Sequence, residues 1–76
     1  MEAEVMKMLA VGLTAGLGLM GPALGIGLIG FSALQGIARN PEASGPIMTN
    51  MILVTAFCEA IGIYALIIAI ILAMIV

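Results

Sequence analysis

Two long stretches almost free of charge decide what this chain can fold into. From Met8 to Ala38 no residue is charged, and from Ala43 to Val76 only Glu59 is. A hydrocarbon core of ~30 Å takes about 20 helical residues to span, so each stretch is long enough to cross once with turns to spare. Backbone polar groups in lipid must be satisfied within the protein, which leaves helices or closed barrels. A barrel needs many alternating strands, and neither stretch alternates, so helix remains.

Composition excludes the other classes. The 76 residues are 64% apolar and 8% charged, against roughly 25% charged in soluble domains. A soluble core of this size would bury only about 60% of the unfolded surface, leaving the surplus apolar residues in water. With no His and a single Cys, Cys58, the chain holds no disulfide framework, metal cage or nucleophile–base pair of its own. No catalytic residues, metal or cofactor are expected. Two basic residues and a net charge of -2 argue against nucleic acid. The opening MEAEVMK carries two acidic residues and one basic, and no small-residue cleavage site follows, so both apolar segments are expected in the mature protein.

The charged residues are Glu2, Glu4, Lys7, Arg39, Glu42 and Glu59. Five of them cluster at the amino terminus and in ARNPEASGP, the polar stretch between the apolar segments. Pro41 disfavours helical geometry at Asn40, and Gly45-Pro46 suits a restart. The sequence therefore predicts an all-α membrane protein: a single helical hairpin over 1–76, with a transmembrane helix at about 5–38, a polar loop at 39–45 and a second transmembrane helix at about 46–75. So short a connection makes the helices antiparallel and puts both termini on one side. Positive-inside counting sets Arg39 against Lys7, one each, and does not choose the side.

Seven of the ten glycines lie between Gly12 and Gly30. Two stretches, Gly16 to Gly21 and Gly25 to Gly30, match GxGxxG, but that pattern binds dinucleotides only between a strand and a helix of a soluble βαβ unit. On a helical wheel with Gly12 at zero, Gly16, Gly27 and Gly30 fall at about 40°, 60° and 0°, and Gly18, Gly21 and Gly25 at about 240°, 180° and 220°. Small residues let membrane helices approach closely, so two opposed stripes suit a helix with a close neighbour on each side, as in a closed ring. The plainer alternative is that membrane helices are simply rich in glycine. Pro22 falls mid-helix, where a kink is expected and neighbouring helices can compensate it.

Glu59 lies about 20 Å into the second helix, close to the bilayer centre. A charge there costs about 2.5–3.5 kcal/mol on insertion scales, with no basic residue at that depth to pair with it. The carboxyl avoids the cost by staying protonated in lipid, and by ionising where it meets water it can carry a proton. The alternative is a protonated Glu that only holds helices together. Thr55, one turn earlier on the same face, is positioned to donate a hydrogen bond, although a membrane Thr more often bonds its own backbone. Tyr64 lies about 140° round the helix and would more easily reach the carboxyl of a neighbouring copy, or else serve as a packing aromatic. Cys58 and the seven Met residues read as packing or lipid-facing side chains.

The glycine-rich first helix, the loop Ala38-Arg39-Asn40-Pro41-Glu42-Ala43 and the segment Phe57-Cys58-Glu59-Ala60-Ile61-Gly62-Ile63-Tyr64 together resemble the c subunit, or proteolipid, of F-type rotary ATP synthases. The resemblance covers nearly the whole chain. It implies a homo-oligomeric ring turning in the membrane, with Glu59 as the ion-carrying carboxyl, loaded and unloaded through two half-channels of the stator a subunit with its arginine between them. It implies that Arg39, Asn40, Pro41 and Glu42 contact the central-stalk subunits on the cytoplasmic side, and that Tyr64, the Phe57 carbonyl or a water supports the carboxyl.

Sodium-carrying members of that family place a Gln or Glu where Ile26 stands and a Ser or Thr where Ala60 stands. Neither residue here offers a side-chain oxygen, so the expectation is proton coupling, with sodium as the alternative. One proton crossing the membrane yields only about 2.3 kcal/mol per 100 mV, less than an ATP phosphoanhydride bond requires. Several carboxyls must then act in series on one rotor, which is a transport subunit and not itself an enzyme. The competing class is a structural or pore-forming, holin-like hairpin with no need of a buried acid. The expected location is a bacterial inner membrane, among membrane lipids, with an organellar inner or thylakoid membrane as the alternative.

Overall fold

The computed structural model describes residues 2–75. Met1 and Val76, which the expected hairpin bounds include, lie outside the described residues. Helix α1 runs over Glu2–Arg39 and α2 over Ser44–Met74, joined by Asn40 and one 3-10 turn at Pro41–Ala43. At 1.5 Å per residue the helices are about 57 Å and about 46 Å long, and the molecule measures 60 × 16 × 8 Å, a rod two helices wide. Both helices are long and apolar enough to cross a membrane.

The connection is tighter than the expected 39–45 loop, and the reason lies in the proline positions. Asn40 has φ -143° and ψ 80°, the extended geometry that a following proline imposes. Its N–H still bonds the Gly36 carbonyl at 3.0 Å, so α1 continues through Arg39. The Ala43 N–H bonds the Asn40 carbonyl at 2.9 Å to close the turn. Ala43 is the N-cap of α2, so Ser44, Gly45 and Pro46 fill its first three positions. Amide hydrogens there have no partner within the helix, so Pro46 sits as the third residue and sacrifices no hydrogen bond. At the other end α1 begins at Glu2, with Glu2 and Glu4 in its first turn and Arg39 in its last, the arrangement the helix dipole favours.

The helices pack antiparallel in an unbroken register set by small residues. A Cβ placed on Gly18 would fall 2.6 Å from the Ala65 Cβ, one on Gly25 3.2 Å from the Cys58 Sγ, and one on Gly36 3.1 Å from the Ile47 Cδ1. Seven residues from Gly18 to Gly25 thus match seven from Ala65 back to Cys58, and eleven from Gly25 to Gly36 match eleven from Cys58 back to Ile47. Between the first two contacts, Pro22 and Leu19 pack on buried Gly62. Helix α1 runs through Pro22 without a break, although the proline removes the donor for the Gly18 carbonyl.

Little else is covered. Ala33, Gly62 and Ala69 are buried, whereas Leu24, Leu28 and Phe31 are 64%, 68% and 62% exposed. Such a surface is unsuited to water and fits lipid and neighbouring helices.

Candidate functional site

Glu59 is the midpoint of α2, fifteen residues from Ser44 and fifteen from Met74, or about 22 Å from either end. The basic residues sit at the rod's ends. Lys7 lies beside Ala73 in a groove at the open end, and Arg39 closes α1 at the turn. Across some 20 Å, at an effective dielectric constant near 20, an opposite charge returns only about 0.8 kcal/mol. That falls short of the roughly 2.5–3.5 kcal/mol that ionisation costs in lipid. Within one hairpin the ionised form therefore has no adequate counterion.

The carboxyl does not point at the helix contact. Around α2, Cys58, Gly62, Ala65 and Ala69 fall about 60–120° to one side of Glu59, and this is the strip that meets α1. Glu59 stands at the strip's edge, exposed, on a groove of about 260 Å³. Pro22, Ala23 and Ile26 of α1 line that groove with Gly62, Ile63 and Leu66 of α2. Glu59 is its one side chain with a polar atom. Ile26 and the neighbouring Ala60 bring no oxygen, and among the described residues no cluster of His, Cys, Asp and Glu could hold a metal.

Tyr64 and Phe57 are not brought to Glu59 in the same chain. They lie about 140° and 160° round α2, on the flank beyond the contact strip, and are 63% and 64% exposed. Arg39, Asn40, Pro41 and Glu42 all lie exposed at the turn, about 22 Å or more from Glu59 along the rod.

The two predicted glycine stripes do not behave alike. Gly18 and Gly25 face α2, so the neighbour on that side of α1 is the chain's own second helix and not another copy. Gly21, on the same stripe by its wheel angle, has nothing within 4 Å of its Cβ position, and the same holds for Gly12, Gly16, Gly27 and Gly30. Closing the hairpin therefore does not require glycine at these five positions. Gly36 belongs functionally with Gly18 and Gly25, and its wheel angle of about 240° is a signal of that in the sequence. Gly62, three residues beyond Glu59, receives the Pro22 ring and fixes the groove floor.

The similarity to known proteins runs almost end to end. A family model for the ATP synthase C subunit matches residues 9–72. The ATP synthase c subunit of Dehalococcoides mccartyi is 61% identical over 72 residues, covering 95% of each chain. That of Petrotoga mobilis is 44% identical over 66 residues, 87% of this chain and 69% of the relative. That of Chloroflexus aurantiacus is 44% identical over 66 residues, 87% of both. A two-helix hairpin of membrane length, carrying one acid at the midpoint of its second helix and matched along its length in this way, belongs to the family of ATP synthase c subunits, the rotor proteins of the synthase's membrane sector.

Proposed function

We propose that Glu59 carries a proton. In lipid the carboxyl is neutral; where a half-channel of the stator a subunit admits water, and the stator's arginine supplies a counter-charge, it ionises and then reloads. Each copy takes one proton through most of a ring rotation, and the torque drives ATP synthesis through central-stalk subunits held on the turn Arg39, Asn40, Pro41 and Glu42. The turn then faces the cytoplasm of a bacterium, with the ring in the inner membrane.

One observation carries this reading: a lone carboxyl at the midpoint of a membrane-length helix, open on one flank to an otherwise apolar groove. A group meant only to hold the hairpin together would face the contact strip. Proton coupling is favoured over sodium because sodium needs several oxygen ligands, and neither Ile26 nor Ala60 offers one.

The two flanks also explain a ring. Copies related by rotation meet head to tail, one flank of each on the opposite flank of the next. That contact brings the neighbour's Tyr64 and Phe57 flank toward each Glu59, so the Tyr64 hydroxyl and the Phe57 carbonyl act across the interface. Gly12, Gly16, Gly21, Gly27 and Gly30, open in the single hairpin, serve that interface.

The test is Glu59→Gln in the complete synthase, reconstituted in vesicles with an imposed proton gradient. Gln keeps the shape and cannot titrate, so ATP synthesis should cease while ring assembly, followed by mass, persists. Synthesis at the unmodified rate would overturn the proposal.

A further inference from the structure

We propose that Thr55 is a positioning residue for the proton site, its hydroxyl holding the Glu59 carboxyl in both protonation states. The inference rests on Glu59 being the proton carrier and names the hydroxyl that serves it from within the same chain.

Three observations lead to Thr55. First, it stands four residues before Glu59, on the same face of α2. Helical side chains lean toward the amino terminus, so the turn that holds Thr55 is within reach of the longer Glu59 side chain. Second, its hydroxyl is not committed elsewhere. Thr49, in the same helix, donates to the Gly45 carbonyl at 3.1 Å, and Asn50 donates to the Pro46 carbonyl at 2.9 Å. Those are the side-chain hydrogen bonds among the described residues; Thr55 makes none, neither back to Met51 nor to Glu59, so in the single hairpin its hydroxyl is free to take the carboxyl once the flank is covered. Its oxygen is not sealed in either, because among the described residues no buried side-chain oxygen or nitrogen is left without a partner. Third, among the described residues no other side chain of the same hairpin is placed to do the work. The groove beside Glu59 is lined by Leu19, Pro22, Ala23 and Ile26 from α1, which bear no polar or titratable side-chain atom. On α2, Cys58 faces α1 and Tyr64 lies on the far flank.

A hydroxyl suits a carrier better than a carbonyl does. It has one donor and two acceptor lone pairs, so it accepts from the protonated carboxyl and donates to the ionised one. A backbone carbonyl can only accept, and so serves only the protonated form.

The experiment uses the assembled synthase with Thr55→Val, which keeps the branched shape and removes the hydroxyl, and Thr55→Ser, which keeps the hydroxyl. Dicyclohexylcarbodiimide reports how firmly the protonated carboxyl is held, read as the rate of Glu59 modification by mass spectrometry. Intact-ring mass checks assembly. One net hydrogen bond corresponds to about a two- to tenfold change in a rate that requires its opening, so Thr55→Val should label about two- to tenfold faster and Thr55→Ser at the native rate. If the Val ring fails to assemble, Thr55→Ala is read in its place with the same expectation. Native-rate labelling of the hydroxyl-free ring, or a Ser ring as fast as the Val ring, overturns the role of Thr55. Absence of Glu59 labelling in the unmodified ring would instead overturn the carrier reading beneath it.

Discussion

The tight approach of the two helices at Gly18 offers a test of the packing whose sign can be worked out in advance. A methyl on Gly18 would lie 2.6 Å from the Ala65 Cβ, about 1 Å inside the optimal carbon–carbon separation of roughly 3.5–4.0 Å. Both carbons are fixed to backbone, so no rotamer change relieves the clash and the helices must part. Overpacking of this kind costs about 1–3 kcal/mol. Against that, Gly→Ala in a helix interior gains roughly 0.5–1 kcal/mol of helix propensity. Gly18→Ala should therefore destabilise by about 0–2.5 kcal/mol, a net figure small enough for the two terms to hide one another.

A double-mutant cycle separates them. In an Ala65→Gly background the opposing methyl is absent, the clash vanishes and only the propensity gain is left, so the same Gly18→Ala change should stabilise by roughly 0.5–1 kcal/mol. The propensity contribution cancels round the cycle, and the coupling between positions 18 and 65 is then the steric cost alone, about 1–3 kcal/mol. The assay is reversible unfolding of the hairpin in mixed micelles titrated with sodium dodecyl sulfate, followed by helical circular dichroism, for the four chains. A coupling indistinguishable from zero would refute the register in which Gly18 meets Ala65, and with it the placement of Gly25 on Cys58 and Gly36 on Ile47.

Two further substitutions probe the groove and the open stripe. At Gly62 an added Cβ lies 3.5 Å from Leu19 and 3.7 Å from Pro22, ordinary van der Waals contact, so Gly62→Ala should raise hairpin stability by about 0.5–1 kcal/mol in the same titration; a loss of stability would show that the groove floor is tighter than these distances imply. Gly27→Leu meets nothing within 4 Å inside the hairpin and should leave the unfolding titration within about 1 kcal/mol of the native chain, while native mass spectrometry shows loss of the intact ring; a ring of unchanged mass would remove that stripe from the interface between copies.

The membrane hairpin and its central acid are legible in the sequence because both rest on strong, local physics. Charge is so costly in lipid that its positions alone mark the ends, the turn and the central acid. The register is not readable, because the wheel angles of Gly18 and Gly25 give a face but not its occupant, and α2 is as good a candidate as another copy. The turn comes out shorter than expected because Pro46 need not be a first-position residue: any of the first three positions tolerates it. Tyr64 draws notice as the one aromatic with a hydroxyl near the acid. Thr55 stays ambiguous, because whether a membrane threonine spends its hydroxyl on its own backbone depends on a rotamer that the sequence does not specify.

On the proposed reading, the placement of Glu59 at the edge of the contact strip, rather than on it, is what lets a helix pair act as a carrier. An acid aimed at α1 would be sealed by the close packing at Gly25 and Gly62 and could exchange protons only if the hairpin opened, which would undo the packing of the whole register. At the edge, its surroundings are set by whatever covers the flank. In the proposed mechanism another copy or lipid keeps it dry, and a channel wall brings it water. The proposed proton exchange then depends on rotation past a partner and not on unfolding. The small residues on the strip hold α1 close against α2, so in the proposed mechanism the flank changes hands without the hairpin opening.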